Sequence, residues 1–201
     1  MIERIQKLLS PSSTIYQATN AKEASVLLPL CLVKGTLSLV FTVRSSALSR
    51  NSGQVSFPGG MEDPQDKDYE ATAHRETMEE IGLSNLLILG RLAPVYDRTL
   101  TIRVHPFVGY MDTPVVPQEL KSNPAEVSRV FSVGVDDLLC KRHLAIQTFD
   151  DPFKISIPSW DIKIDEFGIG SVAKGGDVKI WGLTAYITDQ FLRILPKTLK
   201  L

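Results

Sequence analysis

The sequence is short of the residues that usually carry redox or disulfide chemistry. It has two cysteines in 201 residues, Cys31 and Cys140, far apart and without Cys-x-x-Cys or Cys/His spacing. That excludes a disulfide framework or zinc finger and predicts reduced packing thiols in a soluble intracellular protein. Histidine is scarce too, and neither His105 nor His143 has a partner visible in sequence. Uncharged apolar runs are short: the longest, Ala24 to Val33, covers 10 residues and contains Pro29, too little for a membrane-spanning helix. A formal charge of -1 leaves no bulk basic field for nucleic acid or anionic membrane, and no basic stripe with interleaved aromatics appears. A polyanionic ligand would therefore need local cations or a metal.

What is present describes a globular chain. With 43% hydrophobic residues and Gly and Pro spread along its length, it reads as one domain, residues 1–201, with a core about 24–195. Residues 1–20 form an N-terminal extension in which Ile2, Ile5, Leu8 and Leu9 share one side of a docking helix. Glu3 and only two basic residues make it a poor transit peptide. The ending Leu199-Lys200-Leu201 is similar to a peroxisomal signal without its small first residue.

Residues 24–33 and 36–43 are apolar runs separated by Lys34-Gly35, the pattern of a hairpin. A polar loop with Arg44 and Arg50 follows, then a short strand, Gly53 to Phe57, that delivers Pro58-Gly59-Gly60, where a backbone can turn or approach a ligand closely. A helix is expected from about Lys67 to Ile81, with Asp66 as N-cap. Further strands are expected over 86–92, 104–110 and 126–135, a half-buried hairpin arm over 150–160, and a closing helix over 183–195 stopped by Pro196. Strands flank a helix without strict alternation, which predicts an α/β (α+β) fold with a mixed sheet between helices.

The most informative stretch is the glutamate helix. Glu76, Glu79 and Glu80 fall within roughly 100° of the helix surface, while His74, Thr77, Met78 and Ile81 point the other way. The helix is thus expected to pack on its Met78/Ile81 side and to present three carboxylates opposite. Glu79 and Glu80 stand in the last turn, ahead of the helix stop Gly82, where the helix dipole disfavours acids by roughly a few tenths of a kcal/mol each. Arg75 precedes Glu79 by four, the less favourable order for a helix-stabilising pair, so it reads as orienting Glu79. A solvated acidic face explains neither fact. Clustered carboxylates raise one another's pKa unless a cation joins them, and hard oxygen donors of this kind suit Mg²⁺ or Mn²⁺.

Arg75-Glu76-x-x-Glu79-Glu80-x-Gly82-Leu83 after the Gly59-Gly60 loop resembles the Nudix box. The general box has glycine, five residues, glutamate, seven residues, then Arg-Glu; here Gly60 is followed by five residues, Asp66, eight residues, then Arg75-Glu76. That expansion, with aspartate for glutamate, is similar to the coenzyme A diphosphatase branch. Phe41 through Arg44-Ser45 to Phe57-Pro58-Gly59-Gly60 resembles the branch's own motif, with Ser49 at the place of its second arginine and Arg50 beside it. Asn123-Pro124-Ala125-Glu126-Val127 and Ile180 to Ala185 also look like the branch, the latter like its mitochondrial animal members.

The resemblance implies a Nudix α/β/α sandwich that hydrolyses the diphosphate of coenzyme A or its thioesters to 3′,5′-ADP and 4′-phosphopantetheine. Metal ligands would be Glu76 and Glu80, with Glu79 as a further ligand or held by Arg75, and the Gly60 carbonyl. One glutamate or a loop acid, for which Glu126 is the candidate, would take the proton from water. Arg44, Arg50 and Gly59 would meet substrate phosphates. Trp181 is expected in the core and His74 at a packed surface. Alternatives are a diphosphatase for ADP-ribose or NAD(H), or an idle Nudix fold used as a binding module. The expected partner is a small molecule, not nucleic acid or membrane, on a monomer or homodimer. The expected compartment is mitochondrial, with peroxisome and cytoplasm as alternatives.

Overall fold

A computed structural model describes residues 2–9, 20–113, 120–141, 143–148, 154–164 and 176–195. The ending Leu199 to Leu201, Pro196 and the first residues of the expected 150–160 arm lie outside them. So do the side chains of His143, Ile155 and Ile157.

In chain order the elements are α1 (Ile2–Leu8), β1 (Lys22–Val33), β2 (Thr36–Arg44), β3 (Val55–Ser56), β4 (Gly59–Met61), α2 (Tyr69–Ile81), β5 (Leu87–Arg91) and β6 (Val95–Tyr96). They continue with β7 (Ile102–Met111), β8 (Val127–Gly134), α3 (Val135–Cys140), β9 (His143–Thr148), β10 (Lys154–Ile164), β11 (Gly176–Ile180) and α4 (Gly182–Ile194). The expected hairpin forms as β1 and β2, with Val33 opposite Thr36 and both loop residues at positive φ (Lys34 50°, Gly35 80°), the conformation of a two-residue hairpin turn.

β1 is the axis of the sheet. Along one edge it pairs in parallel with β7 over residues 22–31. Its other edge is divided: Ala24, Ser25 and Val26 pair with β4, whereas Leu30 to Val33 pair with β2. β2 also pairs with β8 over residues 38–44, which brings Arg44 opposite Val127 at the start of β8, and with β3 at Thr42 and Val43. The sheet is therefore mixed, as expected.

Alternation along β1 divides the core in two. Leu27 and Cys31 face α2 with Val40, Ala73, Ile81, Phe107 and Val130. Leu28 and Leu30 face the other way, with Leu39, Phe41, Phe131, Ile5, Trp160 and Phe191. Helices thus cover both faces, α2 on one and α1 and α4 on the other. Ile5 of α1 and Leu9 just after it are buried, Leu9 against the bare backbone of Gly90, but Leu8 is exposed. Phe41 stacks on Phe57 at 4.8 Å and on Phe131 at 5.5 Å between centroids.

Phe41 is fully buried at the centre of this stack. Phe41→Ala is expected to destabilise the protein by about 3–5 kcal/mol in urea unfolding, and a loss under about 1 kcal/mol would contradict the packing described.

Candidate active site

α2 begins two residues later than expected. Its N-cap is Asp68, which accepts the Ala71 N–H at 2.8 Å, not Asp66. Asp66 instead lies in a turn with Asp63 and takes the Arg75 guanidinium on both oxygens, at 3.0 Å from Nε and 2.9 Å from Nη2. Asp66 therefore lies two residues ahead of the cap and binds the arginine nine residues on.

The packing side of α2 includes Thr77 and Ile81 as expected but is rotated from the expected one. Its buried positions are Thr72, Ala73, Thr77, Glu80 and Ile81, whereas Met78 is 51% exposed. The three acids do not stand opposite the core; they straddle its edge. Glu79 is half exposed, Glu76 mostly covered, and Glu80 only 4% exposed. The reason is the bare backbone beneath them. A Cβ at Gly60 would collide with the Glu76 carboxylate, and one at Gly59, where φ is 156°, with the Ser25 carbonyl. Two glycines let a charged helix face settle directly on a strand.

Arg75 binds more than Glu79. Nη1 donates to Glu76 Oε1 at 2.8 Å and to Glu79 Oε2 at 3.3 Å, and Nη2 also donates to the Met61 carbonyl at 3.1 Å. The shorter bonds go to Asp66 and Glu76, so Arg75 chiefly orients Glu76. Its hydrogen bonds hold the Asp66 carboxyl well below the usual range.

Glu80 has no such partner. Burial pushes its pKa up to about 8; the positive charge of Arg44 works against this, and the negative charges of Glu76 and Glu126 add to it. The Gly59 N–H donates to its carboxylate, yet Glu80 Oε2 is buried without a donor, and Arg44 Nε is buried without an acceptor. Glu76 is shifted upward too, by burial against the pull of Arg75, with repulsion from Glu79 and Glu126. Glu76, Glu80, Glu126 and Arg44 therefore form one electrostatic group. Arg50 is outside it: exposed in the β2–β3 loop, it makes no ion pair with these acids.

Residues 22–153 match the NUDIX domain model. The chain belongs to the Nudix family. It is 37% identical over 199 residues to the human protein named mitochondrial coenzyme A diphosphatase NUDT8, covering 96% of this chain and 77% of that one. It is 41% identical over 133 residues to the mouse protein named peroxisomal coenzyme A diphosphatase NUDT7, covering 65% of this chain and 54% of that one. Among solved structures, a NUDIX hydrolase from Alicyclobacillus acidocaldarius superimposes with a TM-score of 0.50 at 18% identity, over 62% of this chain and 84% of that one.

Nudix hydrolases use divalent cations, and the residues here fit one. Among the described residues no three His, Cys, Asp or Glu groups make a ready cage. Two neighbouring carboxylates, one with a buried and undonated oxygen, nevertheless suit an ion that takes its other ligands from water and phosphate.

A second polar group in this Nudix chain had no signal in sequence. Glu23 on β1 accepts from Arg103 Nε at 2.9 Å and pairs with His105 Nε2 at 2.7 Å; Tyr69 of α2 stacks on the His105 ring at 3.8 Å. Burial would raise the Glu23 pKa, but these hydrogen bonds hold it low; burial lowers that of His105. Trp181 is 41% exposed at the N-cap of α4, contrary to the core placement expected. The buried indole belongs to Trp160, which donates to the Leu138 carbonyl at 2.7 Å. Cys31 is a packing thiol, pushed up to about 12 by burial, but Cys140 is exposed at the end of α3. No described helix is long and apolar enough to cross a membrane.

Glu80 titrates higher in the folded chain than its ordinary 4.5. Its contribution to folding is therefore complete below about pH 4.5 and lost as pH rises through about 8. In protein stripped of divalent cations with EDTA, Glu80→Gln is expected to remove this loss, gaining at least about 1 kcal/mol over the parent at pH 8 but little at pH 4.5. Parallel urea-stability profiles for the two proteins across that range would refute the assignment.

Proposed function

We propose that this chain hydrolyses the diphosphate of coenzyme A or its thioesters, giving 3′,5′-ADP and 4′-phosphopantetheine. The observation that carries the chemistry is the buried, undonated oxygen of Glu80 beside Glu76 and Arg44, above the Gly59-Gly60 backbone of β4. The choice of substrate rests on the two relatives named as coenzyme A diphosphatases and on the flanking motifs around Arg44 and Asn123.

In this reading Glu76 and Glu80 hold Mg²⁺ or Mn²⁺, with the Gly60 carbonyl and Glu79 as further donors. When bound, the cation neutralises diphosphate oxygens and acidifies an attacking water. Arg75 keeps Glu76 in place while Asp66 keeps Arg75 in place. Arg44 lies close enough to Glu80 to offset its charge, and its fork suits a substrate phosphate. Arg50, exposed on the β2–β3 loop, is the second candidate to meet a substrate phosphate. Hydrolysis joins the water oxygen to one phosphorus, breaks the bridging P–O bond and releases a proton, for which Glu126 is the acceptor. The whole chain acts as one Nudix domain on a small molecule, in mitochondria by its likeness to the mitochondrial relative.

Coenzyme A, ADP-ribose and NADH should be compared with Mg²⁺ and with Mn²⁺, and coenzyme A digests run in ¹⁸O water analysed for products. Coenzyme A is expected to be preferred, with label in one of the two phosphate products; preference for NADH or ADP-ribose would overturn the substrate. Glu80→Gln is expected to lower kcat by roughly 10²–10³-fold, as for loss of a preorganised charge-stabilising group. Undiminished hydrolysis would remove Glu80 from the metal site and favour a different acid.

A further inference from the structure

The segment between β7 and β8 is irregular over residues 120–126, yet it is tied to both sides of the acid group. Asn123 N–H donates at 2.9 Å to the carbonyl of Glu80, in the last turn of α2, where a helix leaves its carbonyls without internal partners. Asn123 Oδ1 accepts the Ala125 N–H at 3.1 Å, and its own carbonyl accepts the N–H groups of Glu126 at 3.1 Å and Val127 at 2.8 Å. The result is an Asx turn from Asn123 to Ala125 nested in a backbone turn whose last residue is Glu126. The Glu126 carbonyl then accepts the Ser45 N–H at 2.8 Å, next to Arg44, and Ser128 Oγ donates to the Val43 carbonyl at 3.1 Å.

We propose that Asn123 is a positioning residue, whose side chain closes the turn that sets where the Glu126 carboxylate stands relative to Glu76 and Glu80. The inference rests on the proposed role of Glu126 as proton acceptor. Glu126 repels both Glu76 and Glu80. A partly exposed glutamate repelled in this way relaxes toward solvent unless its backbone is held. The Asn123 side chain supplies the local hydrogen bond that holds it, and the Asn123 N–H ties the same turn to the residue bearing the buried carboxylate. One residue therefore fixes the spacing between the metal-binding helix and the loop acid. A turn residue with no such role would affect stability alone.

The test compares Asn123→Ala, Asn123→Ser, Glu126→Gln and the double variant Asn123→Ala/Glu126→Gln. It uses steady-state kinetics on coenzyme A with Mg²⁺, pH profiles of kcat and thermal melts. Asn123→Ala is expected to lower kcat by roughly 10–100-fold, the range for an ångström-scale misplacement, with KM changed less than about twofold. Asn123→Ser keeps an acceptor oxygen without adding charge and is expected to recover most of kcat and the parental pH profile. The double variant is expected to match Glu126→Gln within about twofold, since both remove one function.

Losses that multiply in the double variant, or a loss confined to KM, would overturn the role of Asn123 and leave that of Glu126 standing. Glu126→Gln turning over at the parental rate would instead overturn Glu126 as acceptor, and the positioning role with it. If Asn123→Ala does not fold, Asn123→Ser decides: a tenfold loss of kcat in a folded Asn123→Ser protein overturns the proposal.

Discussion

The site depends on one close approach, that of the Glu76 and Glu80 carboxylates to the backbone of Gly59 and Gly60. Any side chain at Gly60 would occupy the space of the Glu76 carboxylate, so the helix would have to lift from β4. β4 cannot yield, because it is hydrogen-bonded to β1 at Ala24, Ser25 and Val26, and β1 is bound along its other edge to β7. A part of the sheet paired along both edges of β1 therefore lies beneath the buried acids. Sites on regular elements hold their geometry better than sites on loops, and here the acids and the strand beneath them both have that support.

Desolvation is what gives the carboxylates their unusual character. Glu76 and Glu80 are both covered and both pushed upward by burial, with repulsion from Glu79 and Glu126 adding at Glu76 and from Glu76 and Glu126 at Glu80. Arg75 relieves Glu76 by direct hydrogen bonds, but it is itself fixed by Asp66 and the Met61 carbonyl and does not reach Glu80. Arg44 moderates Glu80 from a distance without a bond. The chain thus gives one acid a bonded cation and leaves its neighbour without one, which is the arrangement a further cation would complete.

How far this was legible in sequence depended on whether the signal was local. The hairpin at Lys34-Gly35, the order of strands around α2 and the grouping of three glutamates all follow from short-range patterns, and all appear. The buried side of α2 followed only in part, with Thr77 and Ile81 inward as expected but not Met78, because periodicity gives relative angles and not which sector meets the sheet. The deciding fact was that β4 offers glycine backbone, so Glu80 turned inward and Met78 outward. Asp66 read as a cap since it precedes the helix closely; its bond to Arg75, nine residues on, is a tertiary choice. Glu23 and His105 were silent for the same reason, being 82 residues apart and joined only by the parallel pairing of β1 with β7. Trp181 shows the converse error, in which a large aromatic is assigned to the core by type while Trp160 takes that place.

These distant contacts share a purpose in the geometry of α2. Its first residue, Tyr69, lies flat on His105, whose ring is fixed by Glu23; the first turn is capped by Asp68. Its middle is held by Arg75 bound to Asp66, and its end by the Gly82 turn and the Asn123 N–H on the Glu80 carbonyl. A helix carrying like charges at its C-terminal end would fray there first, because dipole and repulsion act together. Anchors at the start, middle and end of α2 oppose that fraying without neutralising Glu80. The helix can therefore keep its acids close together and poorly solvated, and that is the condition under which they would attract a divalent cation and the phosphate oxygens it carries.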